Sequence, residues 1–275
     1  MHIFIPTKGR GPTKQITYDK IKHSLGGKFL MSLVCPPEEV EAFAAAGYRA
    51  IPCSAQRIGA TRQWIIEHTE DPKVLMLDDD LNQWSSRPDR EEGRYTTATT
   101  EQIFRGLQEL SWLLSDYAHV GIGARLYSNM QPPLLANGRI TRAWGLRADV
   151  LLEHELKFTC PVDDLEMTIQ LLRAGYANMV MYALVQDQGV SQAPGGASTY
   201  RTLEYHNACH EQINRWHPAY TRLVEKTTKG GWFDGKPRKE VVISWAKLVK
   251  DFQPTTIGEN QARSTPALLR PTRDE

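Results

Sequence analysis

The stretch from Lys73 to Trp84, KVLMLDDDLNQW, constrains the fold of this chain more than any other. Val74-Leu75-Met76-Leu77 has the length and bulk of a fully buried strand, and it stops at three consecutive carboxylates, Asp78, Asp79 and Asp80. Side chains alternate along an extended segment, so Asp78 and Asp80 are expected on one face, about 7 Å apart, with Asp79 pointing away. Two carboxylates so placed repel each other unless a cation lies near, and hard oxygen ligands suit Mg²⁺ or Mn²⁺. The plainer reading is a solvated acidic turn, but the end of the most apolar strand is an unlikely place for idle charge.

Around this stretch, strands and helices alternate. HIFIP at 2–6 reads as a first strand, followed by a basic, glycine-containing loop at 7–12 that lacks the spacing of a P-loop. Residues 29–34 and 48–52 read as further strands, with a helix at 38–47 that has early acids and a terminal glycine. Residues 56–68 suggest a helix with Arg57 and Arg62 near its first turn, where helix N-terminus and arginines both favour anions. Strands at 119–126, 140–150 and 178–185, and helices at 99–117, 159–175 and 203–216, continue the pattern. Such alternation predicts an α/β fold with a mixed, mainly parallel sheet and helices on both faces, whose ligands gather at the carboxyl ends of the strands.

Asp163 and Asp164 open the 159–175 helix, where both could cap it, or one could cap while the other faces a site as a general base. Two loops, 127–140 and 187–202, are long enough to suggest function, and the second is small and hydroxyl-rich, suited to closing over a polar ligand. His206 and His210 lie four apart on one helix without an HExxH motif, so a solvated or capping role is expected. Between Lys226 and Lys250 there are seven Lys/Arg against two Asp/Glu, interleaved with Trp232, Phe233 and Trp245. That mixture suits a DNA backbone with an unstacked base, and equally a solvated face. Residues from 252 onward are polar and aperiodic, and a tail is expected there.

Whole-chain charge does not announce a polyanionic partner, since 33 Lys+Arg stand against 32 Asp+Glu. Cys35, Cys53, Cys160 and Cys209 are scattered without zinc spacing, which makes reduced thiols the default. At 275 residues one large domain is expected. No signal-peptide pattern opens the sequence and no segment approaches about 18 uninterrupted apolar residues, so a cytosolic protein is expected.

The order of the pieces, IPTKGR, RIGATRQ, LDDDL, VDDLEMTIQLLRAGY and GGASTYRT, resembles that of GT-A glycosyltransferases. IGATRQ, LDDD and GGASTYRT before a helix ending in RWHP resemble the phage TET-associated DNA glycosyltransferases, related to base J glucosyltransferase-like enzymes, over nearly all of residues 2–250. The resemblance implies a Rossmann-like GT-A fold, with residues 1–126 as the nucleotide-sugar half, 127–250 as the acceptor half and 251–275 as a flexible tail. It implies a cytoplasmic enzyme, in the host if phage-encoded, that moves a sugar from a UDP-sugar to the hydroxyl of a 5-hydroxymethylpyrimidine, 5-hydroxymethylcytosine first, in phage DNA.

On that resemblance Asp78 and Asp80 hold Mn²⁺ or Mg²⁺, with His217 a further metal or phosphate contact. Pro6, Thr7, Arg10, Arg57, Gly59, Arg62, Asp78 and Asp79 line the nucleotide-sugar pocket, and Gly195, Gly196, Ser198, Thr199, Tyr200 and Arg201 close over the donor. The family pattern opens its acceptor-side helix with Glu-Asp; here Asp163-Asp164 stands in that place, Asp164 as the expected base and Asp163 orienting or capping. Lys229, Trp232, Phe233, Lys236, Arg238 and Lys239 are the expected DNA surface, on which a base leaves its stack. Three rivals remain: a non-DNA acceptor, a metal-dependent nucleotidyltransferase, and an inactive nucleotide-sugar or DNA-binding module.

Overall fold

The computed structural model describes residues 1–87, 94–126, 128–158, 162–188, 200–227 and 232–264. The first half runs β1 (His2–Pro6), α1 (Ile16–Ile21), β2 (Leu30–Cys35), α2 (Val40–Ala45), β3 (Ala50–Pro52), α3 (Ile58–His68), β4 (Lys73–Leu77), β5 (Leu81–Ser86), β6 (Thr96–Thr97) and α4 (Thr100–Asp116). The second half adds β7 (His119–Ala124), β8 (Leu134–Ala136), β9 (Ala143–Arg147), α5 (Ala148–Glu153), α6 (Asp163–Arg173), β10 (Asn178–Gln188) and α7 (Leu203–Trp216). A hairpin of β11 (Thr221–Lys226) and β12 (Arg238–Ile243) follows, then α8 (Trp245–Phe252) and α9 (Ile257–Ser264).

One sheet has the order β3-β2-β1-β4-β9-β7-β10-β5-β6, with β8 beside β10. β3, β2, β1 and β4 pair in parallel, as do β7 and β10, whereas β9 runs against β4 and β7, and β5 against β10. The sheet is therefore mixed and mainly parallel, and β1, β4, β7 and β10 end at one edge. Helices cover both faces because consecutive residues of each central strand feed opposite cores. In β4, Leu75 and Leu77 join Phe43, Ile103, Leu107, Leu110 and Leu114, while Val74 and Met76 join Ile65, Ile66, Val150, Leu151, Met167 and Leu171. The other side of α6 packs Leu165, Ile169 and Leu172 against Cys209, Ile213, Val241 and Leu248. α6 is thus fixed from two sides, which matters because its first residue is Asp163.

Several segments differ from expectation. The polar stretch after the aspartates begins with strand β5, whose partner β10 is distant in sequence. The 127–140 loop contains a 3-10 turn, Ser128–Met130, and β8. Only Ala143–Arg147 of the 140–150 segment is strand, after which the chain turns into α5. The expected tail is ordered through α9: Ala177 N–H donates to Thr255 O at 2.8 Å, Thr255 N–H to Gly175 O at 2.9 Å, and Ile257 is buried. No helix among the described residues is long and apolar enough to cross a membrane.

His119 in β7 is fully buried and neither ring nitrogen has a hydrogen-bond partner. Burial pushes its pKa down from 6.5 to about 3. The folded value lies below the unfolded one, so the unfolded chain binds the extra proton and stability falls as pH drops below 6.5. Between pH 7 and pH 5, the wild type should lose about 2 kcal/mol more folding stability than His119→Leu, read by urea denaturation at both pH values. Equal losses would remove His119 from the account.

Candidate active site

Asp78 follows the last residue of β4, and its backbone N–H donates to Arg142 O at 2.9 Å. The chain then turns rather than continuing extended, so the expected shared face of Asp78 and Asp80 is not formed in that way. Thr17 of α1 clamps the turn: its hydroxyl donates to Asp78 O at 2.6 Å and accepts from Leu81 N–H at 2.9 Å. Asp79 does not point away. It is buried, accepting from the Thr7 hydroxyl and from Arg10 Nε, each at 2.8 Å, while Arg10 also reaches Asp80 at 3.4 Å. Gly9 and Gly11, at φ +68° and +66°, take the left-handed conformations that let the loop carry Arg10 back to these aspartates.

Arg62 lies one turn inside α3, where it joins the two halves of the chain. Its guanidinium donates to Asp78 Oδ1 at 2.7 Å and to Asp163 Oδ1 at 2.6 Å, and its carbon lies 4.4 Å from the centroid of the Trp144 ring. Burial disfavours this charge, but Asp163 and Asp78 outweigh burial and raise the arginine's pKa above its ordinary value. Burial, opposed by Arg62 and reinforced by Asp80, Asp79 and Asp163, pushes the Asp78 carboxyl up to about 7. The Asp78 side chain keeps 31% of its surface open to solvent. Asp163 is also raised by burial, and its Oδ2 is buried without a partner.

From the other side, Ile58 N–H at the start of α3 donates to the Tyr200 hydroxyl at 3.2 Å, and Arg57 donates to the Tyr205 hydroxyl at 3.2 Å. Burial shifts Arg201 down, opposed by the charges of Asp164 and Asp163, and Asp163 is the one bonded to Arg62. Thr7, Arg10, Arg57, Arg62, Asp78, Asp79, Asp80, Asp163, Asp164, Tyr200 and Arg201 thus form one connected constellation, with Pro6 ending β1 and Gly59 buried in the first turn of α3. Gly195, Gly196, Ser198 and Thr199 lie outside the described residues, as do Lys229 and the side chain of Trp232.

His217 follows α7 and meets Arg173 at 2.9 Å and Glu166 at 3.5 Å, in the packing between α6 and α7. In the expected DNA surface, Arg238 pairs with Glu240 at 2.8 Å, Lys239 pairs with Glu211, and Phe233 lies 5.4 Å from the His206 ring. Lys236 is exposed. Sequence reasoning missed Thr17, Trp144, Arg142 and Tyr205, each of which acts on a residue distant in sequence.

Among the described residues, no group of three or more His, Cys, Asp or Glu is placed to hold a metal ion by itself. Asp78 and Asp80 nevertheless suit a hard dication, since each spends only one carboxylate oxygen on an arginine. Mg²⁺ in particular is commonly held by one or two carboxylates, with substrate phosphates and water completing its shell.

The sequence profile of a family described as TET-Associated Glycosyltransferase matches residues 1–196. The chain is similar to a "Beta-glucosyl-HMC-alpha-glucosyl-transferase" of Enterobacteria phage T2, 25% identical over 209 residues that span 67% of this chain and 71% of the relative. A protein of the same name from Enterobacteria phage T6 is 24% identical over 192 residues, spanning 62% of this chain and 65% of the relative. Among solved structures, S. aureus TarS 1–349 in complex with UDP-GlcNAc is similar at a TM-score of 0.48 and 12% identity, over 78% of this chain and 66% of that one. Glucosyl-3-phosphoglycerate synthase of Mycobacterium tuberculosis, in complex with Mn²⁺, UDP-glucose and phosphoglyceric acid, has a TM-score of 0.47 and 12% identity, over 77% and 76% of the two chains.

Proposed function

The chain belongs to the TET-associated glycosyltransferase family, and from that premise we propose that it transfers a sugar from a UDP-sugar to the hydroxyl of 5-hydroxymethylcytosine in DNA. The observation that carries this reading is the Arg62 bridge, which ties the carboxylate ending β4 to the carboxylate opening α6. One end of that bridge belongs to the donor side and the other to the acceptor side. Asp163, buried and held by Arg62, is the orienting residue; Asp164, half-buried, is free to meet an acceptor hydroxyl.

In the transfer, the bond from the anomeric carbon to the diphosphate oxygen breaks and the acceptor oxygen takes its place. The hydroxyl proton passes to the Asp164 carboxylate, since a primary alcohol is a weak nucleophile without a base in reach. Asp78 and Asp80 would hold Mn²⁺ or Mg²⁺, which when bound supplies positive charge against the leaving diphosphate. Arg10 and Thr7 fix Asp79 and with it the backbone of the turn that carries the two ligands. Arg201 is proposed to add charge on the donor side, where Gly195, Gly196, Ser198, Thr199 and Tyr200 close over the nucleotide-sugar.

A second reading takes the phage relatives' printed name as its guide, with the acceptor a hydroxyl of a glucose already on the base. The two readings share donor, metal and base. The discriminating test is release of UDP from UDP-glucose with Mn²⁺ present. Stimulation by duplexes bearing 5-hydroxymethylcytosine, and none by the same duplex with cytosine, is expected; stimulation only by the β-glucosylated duplex selects the second reading. Release unaffected by any DNA would reject both. Asp80→Ala should lose the Mn²⁺-dependent part of UDP-sugar binding, measured by calorimetry with and without the metal. An unchanged Mn²⁺ response would take Asp80 out of the ligand set.

A further inference from the structure

Arg201 reaches the site just ahead of α7, and a side chain of that helix holds it. It follows Tyr200, whose hydroxyl accepts from Ile58 N–H at the start of α3, so the backbone that carries Arg201 is fixed beside the constellation. The guanidinium Nη2 donates to His206 Nδ1 at 3.3 Å. A guanidinium has donors only, so the nitrogen that meets it carries no proton. His206 and His210 are both buried, and the cap of α7 is Thr202, whose hydroxyl accepts from Tyr205 N–H at 3.2 Å. The solvated or capping role expected for the two histidines is therefore not the one they take.

Their rings lie against each other, with centroids 4.4 Å apart, and the stack is anchored to the hairpin. His210 Nδ1 accepts from Val241 N–H at 3.0 Å, so it too is unprotonated there, and Asn207 Oδ1 accepts from Lys239 N–H at 2.8 Å. Side chains of α7 thus take the N–H groups of alternate β12 residues, which keeps the rings in one setting. Burial, then Arg201, pushes the His206 ring down from 6.5 to about 4, and burial, then His206, pushes His210 to about 3. Both rings are uncharged at neutral pH. Glu240, whose charge also acts on His206, is itself paired with Lys226 and Arg238.

A carboxylate at position 206 would hold Arg201 more strongly, but it would also cancel its charge. An uncharged imidazole fixes the direction of the guanidinium and leaves its positive charge for an anion. We propose that His206 is a positioning residue for the transfer: its ring aims Arg201 at the donor diphosphate without neutralising it, while His210 and β12 hold the ring in place. The proposal rests on the donor-side role given to Arg201 above. It also gives residues beyond the family profile, which ends at 196, a part in the donor site.

Calorimetry of UDP binding with Mn²⁺ present, on the full chain, tests this. His206→Phe keeps a ring in the stack and loses the acceptor, and UDP should bind about tenfold more weakly, the order set by one hydrogen bond to a charged group. His206→Asn returns an uncharged acceptor near the position of Nδ1 and should recover most of that loss. His206→Asp has the shape of the asparagine but carries a charge, and should bind UDP at least as weakly as His206→Phe. Arg201→Ala alone and combined with His206→Phe should bind UDP equally weakly, because the ring acts only through the arginine. Thermal melts separate a loss of fold from a loss of aim, and the Asn and Asp variants, alike in shape, carry the comparison if His206→Phe melts early.

Losses that add in the double variant, or His206→Asp binding UDP as well as His206→Asn, would overturn the proposal, as would a UDP affinity unmoved by His206→Phe. UDP binding needs no DNA. A protein that shows this coupling and yet puts no sugar on a hydroxymethylated duplex therefore sinks the transfer reading and leaves the role of His206 standing.

Discussion

Asp164→Asn should bind the UDP-sugar as tightly as the wild type and transfer it to hydroxymethylated DNA about 10²- to 10⁴-fold more slowly, the range a positioned general base contributes. Asparagine keeps the volume and the helix start but cannot accept the proton. Asp163→Asn should behave differently, because Asp163 is buried and bonded to Arg62 and touches no acceptor in this scheme. Its loss should appear in folding stability together with turnover. Donor binding by calorimetry and single-turnover transfer separate the two variants; an Asp164→Asn enzyme with wild-type transfer would move the base elsewhere.

Arg62→Ala is the second large effect, and its cause is charge burial. The guanidinium is buried, stacked on Trp144 and shared by two carboxylates, so its removal leaves Asp163 without its ion-pair partner in the core. Breaking a buried pair in this way costs about 3–5 kcal/mol. Transfer should be lost as well, because Asp78 and α6 are no longer held in register. Arg62→Lys should not restore the wild type, since a single ammonium does not reproduce the planar fork that reaches both oxygens. Asp163→Asn combined with Arg62→Ala should recover part of the lost stability, because the orphaned charge is gone. Denaturation of the single and double variants measures this directly, and strict additivity would contradict the bridge.

The same bridge shows where the sequence was legible. The apolar run ending at Asp78 identified β4 because a strand buried on both faces carries its signature locally, and the cluster of aspartates and arginines forms at its end. Asp163 and Asp164 were recognisable as the opening of a helix by their place before an apolar period. Arg62 was recognisable as an anion-binding residue, but its partner Asp163 is 101 positions away, and no local pattern states such a pairing. The geometry of the aspartates was misjudged for a related reason. Alternation holds only while the chain is extended, and Thr17 and Arg10 fold it into a turn. Likewise β8, α8 and α9 are too short for periodicity to reveal, and α9 is fastened by backbone bonds from Thr255 to the segment after α6.

Sugar arriving on a hydroxymethylated base changes the mass of the nucleoside, which mass spectrometry of digested DNA reads without an intermediary. Duplexes containing 5-hydroxymethylcytosine, 5-hydroxymethyluracil or β-glucosyl-5-hydroxymethylcytosine are incubated with the protein, Mn²⁺ and a panel of UDP-sugars, then digested. A single sugar increment on 5-hydroxymethylcytosine, absent with Asp164→Asn, is the predicted result. No increment on any of the three nucleosides, while UDP is still released from the donor, would contradict it and send the sugar to an acceptor other than DNA.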